Sequence, residues 1–204
     1  MNTFDVIKER KSTRSYSTKA VSVEQIRQIL SCAVQAPSPK NDQPWQFCVV
    51  CSVEKRKAIS DILRQRLRAL KHENEAAGVQ RPDIDAAFAS ADILENASVI
   101  IFVYMDTELY DIHDDGVKWD LSAKDIECTH IMSVGASIQN MLLAATDMGI
   151  DSLWLGDVFF AYQELSKFIG GKGCMLAAVA LGFGNENVGK VSRQELDKKI
   201  VWVD

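Results

Sequence analysis

Between Ala123 and Met148 the chain carries an unusually apolar stretch with helical spacing, long enough to pose a choice between crossing a bilayer and filling the centre of a core. Asp125, Glu127, His130, Gln139, Asn140 and Asp147 interrupt it, so no run approaches the ~20 consecutive apolar residues that a membrane demands. A central core helix is expected. Such a helix needs other elements to cover it, and the rest of the chain supplies them.

Residues 3–10 read as a short helix broken by STRSYST, and Val21, Ser22 and Gln25 resemble a staple and capping box opening a second helix that Pro37 ends. Trp45–Ser52 and ASVIIFVYM at 97–105 read as buried strands, joined by a helix from Glu54 into the seventies with a basic, solvated face. The polar segment 72–94 reads as helical but poorly anchored, a candidate flap. After the core helix come a strand at Ser152–Leu155, a short helix at Tyr162–Phe168 and a strand at Met175–Leu181. Ser192 and Glu195 would cap a last helix, and KIVWVD would close the chain as an extra strand. The order predicts an α+β, three-layer fold with a small central sheet flanked by helices. No Gly/Ser or Pro-rich linker divides it, so residues 1–204 are read as a single domain.

A net charge of −5 argues against general nucleic-acid binding, which needs a basic field. The first residues show no apolar run flanked by cations and a cleavage site, so an unexported, cytoplasmic protein without membrane attachment is expected. Five cysteines without a secretion signal speak against a disulfide framework, and Cys48 and Cys51, three apart on a strand, would point to opposite faces. They read as small apolar core residues. Familiar signatures fail. LGFGNENVG has Asn187 where a dinucleotide fingerprint needs glycine, GGKG lacks the P-loop context, and DIHDDG has His113 and Ser122 at calcium-ligand positions. His72, His113 and His130 have no metal-ligand spacing, so no metal is expected.

Two polar stretches stand out. In KERKSTRSY, Arg10, Ser12 and Arg14 alternate, so two guanidinium groups and a hydroxyl can converge on one anion; read alone, the alternative is an exposed basic turn. In APSPKNDQPWQF, Asn41 and Gln43 precede a strand pinned by Trp45, and amides there can read the donor and acceptor edge of a heterocycle.

These stretches, with SIQNMLLAATDMGIDSLWLG and a closing LGFG followed by Arg193 and IVWV, resemble in order the motifs of the FMN-dependent nitroreductase family. The resemblance covers essentially the whole chain. It implies an intertwined homodimer with two FMN molecules at the interface. Arg10, Ser12 and Arg193 would hold the phosphate and ribityl chain, with Lys190 as the alternative to Arg193. Arg14 would sit near the pyrimidine carbonyl. Pro37, Ser38 and Asn41 would come from the partner subunit, and the backbone at Leu155 and Gly156 would approach the central ring. Pro39, where a second serine is common, and Gly184, in place of the proline of LGYP, depart from the family pattern.

The implied activity is hydride transfer from NADH or NADPH onto FMN and onward to a small oxidised acceptor such as a nitroaromatic or quinone. No histidine, cysteine or paired carboxylate lies within the polar motifs, so no catalytic side chain is assigned and the flavin would carry the chemistry. Reductive dehalogenation or flavin cleavage on the same scaffold, and flavin binding without turnover, are the alternatives. Acceptor choice is expected to depend on the segments at 72–95 and 106–122.

Overall fold

The computed structural model describes residues 1–107, 123–185 and 191–203. Its helices are α1 (Thr3–Glu9), α2 (Val23–Ala33), α3 (Val53–Ala76), α4 (Pro82–Asn96), α5 (Ala123–Asp147) and α6 (Tyr162–Ile169). Its strands are β1 (Trp45–Val50), β2 (Val99–Met105), β3 (Asp151–Leu155) and β4 (Cys174–Gly182), with 3-10 turns at Pro39–Asn41, Asp157–Ala161 and Leu196–Lys199.

The strands form one sheet in the order β1-β2-β4-β3, antiparallel throughout. Every residue of β2 is buried, because helices cover both of its faces. Alternation divides its side chains: Ile101, Val103 and Met105 pack with α2 and α5, while Ile100, Phe102 and Tyr104 pack with α3 and α4. The predicted α+β, three-layer architecture is the one observed.

α2 begins with the expected capping box: the Gln25 N–H donates to Ser22 Oγ at 3.2 Å and the Ser22 N–H to Gln25 Oε1 at 2.9 Å. α5 lays Val134, Ile138 and Met141 on the sheet, as its pattern requires, yet leaves Ile131 and Met132 exposed. Among the described residues no helix is long and apolar enough to cross a membrane.

Several expectations are corrected. Residues 82–96 are no flap, since α4 buries Ile84, Ala87, Ala91 and Leu94 against α3 and the sheet. The basic face of α3 is not simply solvated either. Arg56 is buried and donates to the Cys51 and Ser98 carbonyls, and Arg64 pairs with Asp92 at 2.5 Å and Glu95 at 2.7 Å, clamping α4 in place. Of the two cysteines expected in the core, Cys51 is exposed, whereas Cys48 is half-buried and packs against the core beside α3 and α4. The expected C-terminal helix is a single 3-10 turn without a side-chain cap, and 200–203 form no strand; Val201, Trp202 and Val203 are 83–91% exposed. The loop expected at 106–122 lies outside the described residues from 108 onward.

Candidate functional site

Residues 12–17 leave α1 extended and run between β3 and the segment after β4. Ser12 bridges Ser152, the Thr13 N–H donates to the Ser152 carbonyl at 3.1 Å, and Tyr16 bridges Gly184. The buried Thr13 and Tyr16 anchor the segment, while Ser12 is half-buried and Arg14 exposed. Burial, with Asp151 nearby, pushes the Tyr16 phenol up, so it stays neutral. Arg14 donates to the Ser12 carbonyl at 3.4 Å, and Arg10 caps α1 half-buried. The first polar stretch is thus an extended edge, bridged at Ser12 and Tyr16, with Arg14 exposed on it.

Asp151, which sequence reading missed, fastens this edge. Its carboxylate accepts from Thr13 Oγ at 2.9 Å and from the Gly184 N–H at 2.8 Å, with Lys11 Nζ 3.9 Å away. The bond from Gly184 explains one departure from the family pattern, because proline has no N–H to donate. A Cβ on Gly184 would also lie 2.9 Å from Asp151 Oδ2 and 3.0 Å from Thr13 Cγ2. Asp151→Ala is expected to cost about 1–3 kcal/mol for each donor left unpaired, measured by denaturant unfolding, with Asp151→Asn intermediate.

The second stretch precedes β1. Pro39 opens its 3-10 turn, where fixed φ suits the first position and accounts for the missing serine. Lys40, Asn41 and Gln43 then have φ of 51°, 62° and 49°, left-handed backbone that costs non-glycine residues of order 1–3 kcal/mol each and clusters at ligand sites. Ser38 Oγ accepts from the Gln43 N–H at 3.0 Å, the Asp106 N–H donates to the Pro44 carbonyl at 2.9 Å, and Asp42 Oδ2 lies 3.3 Å from Nε2 of the buried His130 on α5. Pro37 and Asn41 are exposed and Ser38 half-buried.

The two stretches do not meet within one chain. β1 and β3 are the outer strands, three spacings of about 4.8 Å apart. Trp45 lies in the row of Met105 and Cys174, whereas Ser152 lies in that of Leu181 and Val99, so six residues, about 20 Å, separate them along the strands. They occupy diagonally opposite corners of the sheet.

Gly156 follows β3, four residues and about 13 Å from Ser152, beside Ser12. Its φ of −94° is open to any residue, and a Cβ there would meet nothing within 4 Å. Neither backbone nor packing demands glycine. Leu155 is buried, so only its backbone can face a ligand. Arg193 is exposed, and Lys190 lies outside the described residues. Among the described residues no group of three or more His, Cys, Asp or Glu is arranged to hold a metal ion.

The structure is thus a three-layer α+β fold with a cationic edge at one corner of its sheet and a strained amide-bearing loop at the diagonally opposite one. The nitroreductase family profile matches residues 7–183, and the chain belongs to that family. A protein of Archaeoglobus fulgidus with the provisional name NADH dehydrogenase/NAD(P)H nitroreductase is 33% identical over 151 residues, 74% of this chain and 65% of the relative. The nitrobenzene nitroreductase of Ectopseudomonas oleovorans is 25% identical over 236 residues, 98% of this chain and 96% of that one. A provisionally named nitroreductase of Desulfovibrio desulfuricans, solved in complex with FMN, matches with a TM-score of 0.72 at 27% identity, covering 100% of this chain and 98% of that one. A BluB-like flavoprotein of Clostridium difficile 630 shares the fold, with a TM-score of 0.83 at 23% identity and full coverage of both chains.

Proposed function

We propose that this protein is an NAD(P)H-dependent flavin oxidoreductase whose FMN site is completed by a second copy of the chain, with a nitroaromatic or quinone as acceptor. The observation that carries this reading is the diagonal placement of the two polar stretches, neither of which makes a site alone. Their residues fit FMN. Arg10, Ser12 and Arg193 offer charged and hydroxyl donors for a phosphate and polyol, and Gly156 leaves open the space a flat ring requires. The Asn41 amide, on its left-handed turn, supplies donor and acceptor for a pyrimidine edge contributed across the interface.

Exposed apolar surface supports the dimer. Ile131 and Met132 on α5 and Trp154 on β3 are 40%, 65% and 44% exposed, and the C-terminal Val201–Val203 is exposed among the described residues. A soluble chain gains by burying both against a twofold copy.

FMN, when bound, accepts hydride from a reduced nicotinamide and delivers electrons to the acceptor. The protein's share is position and electrostatics. Arg14 would put a cation beside the pyrimidine ring, where negative charge gathers on reduction, and the Leu155–Gly156 backbone would let the ring lie close to it. Arg14→Ala is expected to weaken FMN binding or slow flavin reduction roughly 10- to 100-fold, checked by titration and anaerobic stopped flow. Unchanged values would leave Arg14 a surface residue.

The direct test is the purified protein. It should be yellow, release FMN and not FAD on denaturation, run as a dimer in light scattering, and bleach anaerobically with NADH or NADPH before recovering its colour with an acceptor. A colourless protein whose melting temperature does not rise with added FMN would overturn the reading, since ligand at 100 times its dissociation constant stabilises by about 2.7 kcal/mol.

A further inference from the structure

We infer that His130 is a positioning residue for the flavin: by holding Asp42 it fixes the arc Lys40–Gln43 in the left-handed shape that presents Asn41 across the dimer interface. The inference rests on the FMN reading and goes beyond it, because none of the motifs that carry that reading contains a histidine.

Three non-glycine residues with positive φ in four positions persist only when their surroundings over-determine them. Part of that determination is local. The Asn41 N–H donates to the Ser38 carbonyl at 3.1 Å, the Asp42 N–H to the Pro39 carbonyl at 2.9 Å, and the Gln43 N–H to Ser38 Oγ at 3.0 Å. These bonds shape the arc from within; on its C-terminal side β1 carries it from Trp45 onward, and Asp42 adds a second tie to the fold. Asp42 stands between the strained positions, and its Oδ2 lies 3.3 Å from His130 Nε2. His130 is 2% exposed on α5, one turn before Val134 and two before Ile138, which pack on the sheet, so the contact ties the arc to a core helix. Asp42 is 31% exposed, at the boundary between core and site. The pair therefore transmits the rigidity of α5 to a surface loop. A ligand read by amide hydrogen bonds needs that, since a displacement of 1 Å breaks such bonds.

The test uses apo-protein titrated with FMN, followed by quenching of flavin fluorescence, with apo melting temperature as the stability control. His130→Ala and Asp42→Ala should each raise the FMN dissociation constant at least tenfold. The double variant should be no worse than the weaker single, because both remove one linkage. His130→Gln, whose amide can still donate to Asp42, should stay within threefold of wild type. Asp42, partly exposed, can be replaced without opening the core, so its variant reports even if His130→Ala fails to fold. An FMN constant within twofold of wild type in either folded alanine variant, or additive effects in the double variant, would overturn the inference while leaving the FMN reading intact. Failure of the wild-type chain to bind FMN would sink both.

Discussion

Gly156→Val is expected to strip the protein of its flavin while leaving its stability nearly untouched. Glycine is often kept for a positive φ or because a neighbour leaves no room for Cβ, and neither holds here: φ is −94°, and a Cβ would point into open space. The substitution should therefore behave as a surface change and alter unfolding free energy by no more than about 0.5 kcal/mol. If the flavin ring lies against this backbone, the added isopropyl group occupies its place, and FMN affinity should fall at least about 100-fold, equivalent to about 2.7 kcal/mol. Apo-protein melting and FMN titration on the same samples decide it. Unchanged affinity would move the ring elsewhere, and a large drop in apo melting temperature would make the glycine structural.

Phe102→Ala should do the reverse, damaging the fold first. Phe102 is fully buried in β2, between Cys48 of β1 and Ala178 of β4, and faces the α3 and α4 layer. Its cross-strand neighbour Ala178 is too small to expand into the space left, so the cavity will persist. The expected loss is about 3–5 kcal/mol, or between about 6 and 20 °C in melting temperature for a chain of this length. Differential scanning calorimetry of the apo-protein measures it, and a loss below about 1 kcal/mol would mean that the layers close over the gap.

Much of this was legible in the residues. β2 announces itself because a strand buried on both faces must be apolar throughout, and Ser22 with Gln25 marks a helix start through bonds made within four residues. α4 was misread because its buried positions are partly alanines, which carry little hydrophobic signal, although Ile84, Ala87, Ala91 and Leu94 keep helical spacing. The cations of the first stretch could be found by type and alternation. Asp151 could not, because it acts on Thr13 across 138 residues and in the chain looks like an ordinary turn carboxylate. His130 was hidden for the same reason: its partner is 88 residues away, and within an apolar helix it reads as an interruption. The C-terminal segment has the apolar residues of a packed element but lies exposed among the described residues, so local pattern promised structure that is not formed there.

The diagonal separation of the two polar corners has a genetic consequence. If each site takes its cationic edge from one chain and its amide loop from the other, Arg14→Ala and Asn41→Ala spoil different halves. Each homodimer carries two defective sites. Unfolding and reassembling the two variants together would make half the dimers mixed, and in each mixed dimer one site collects both defects while the other receives none. About a quarter of all sites should then be wild type, recovered from two parents that are each impaired. Complementation of this kind, in a cell carrying both alleles or in a refolded mixture, would reveal the shared architecture without any structure of the complex, and a site built within one chain could never show it.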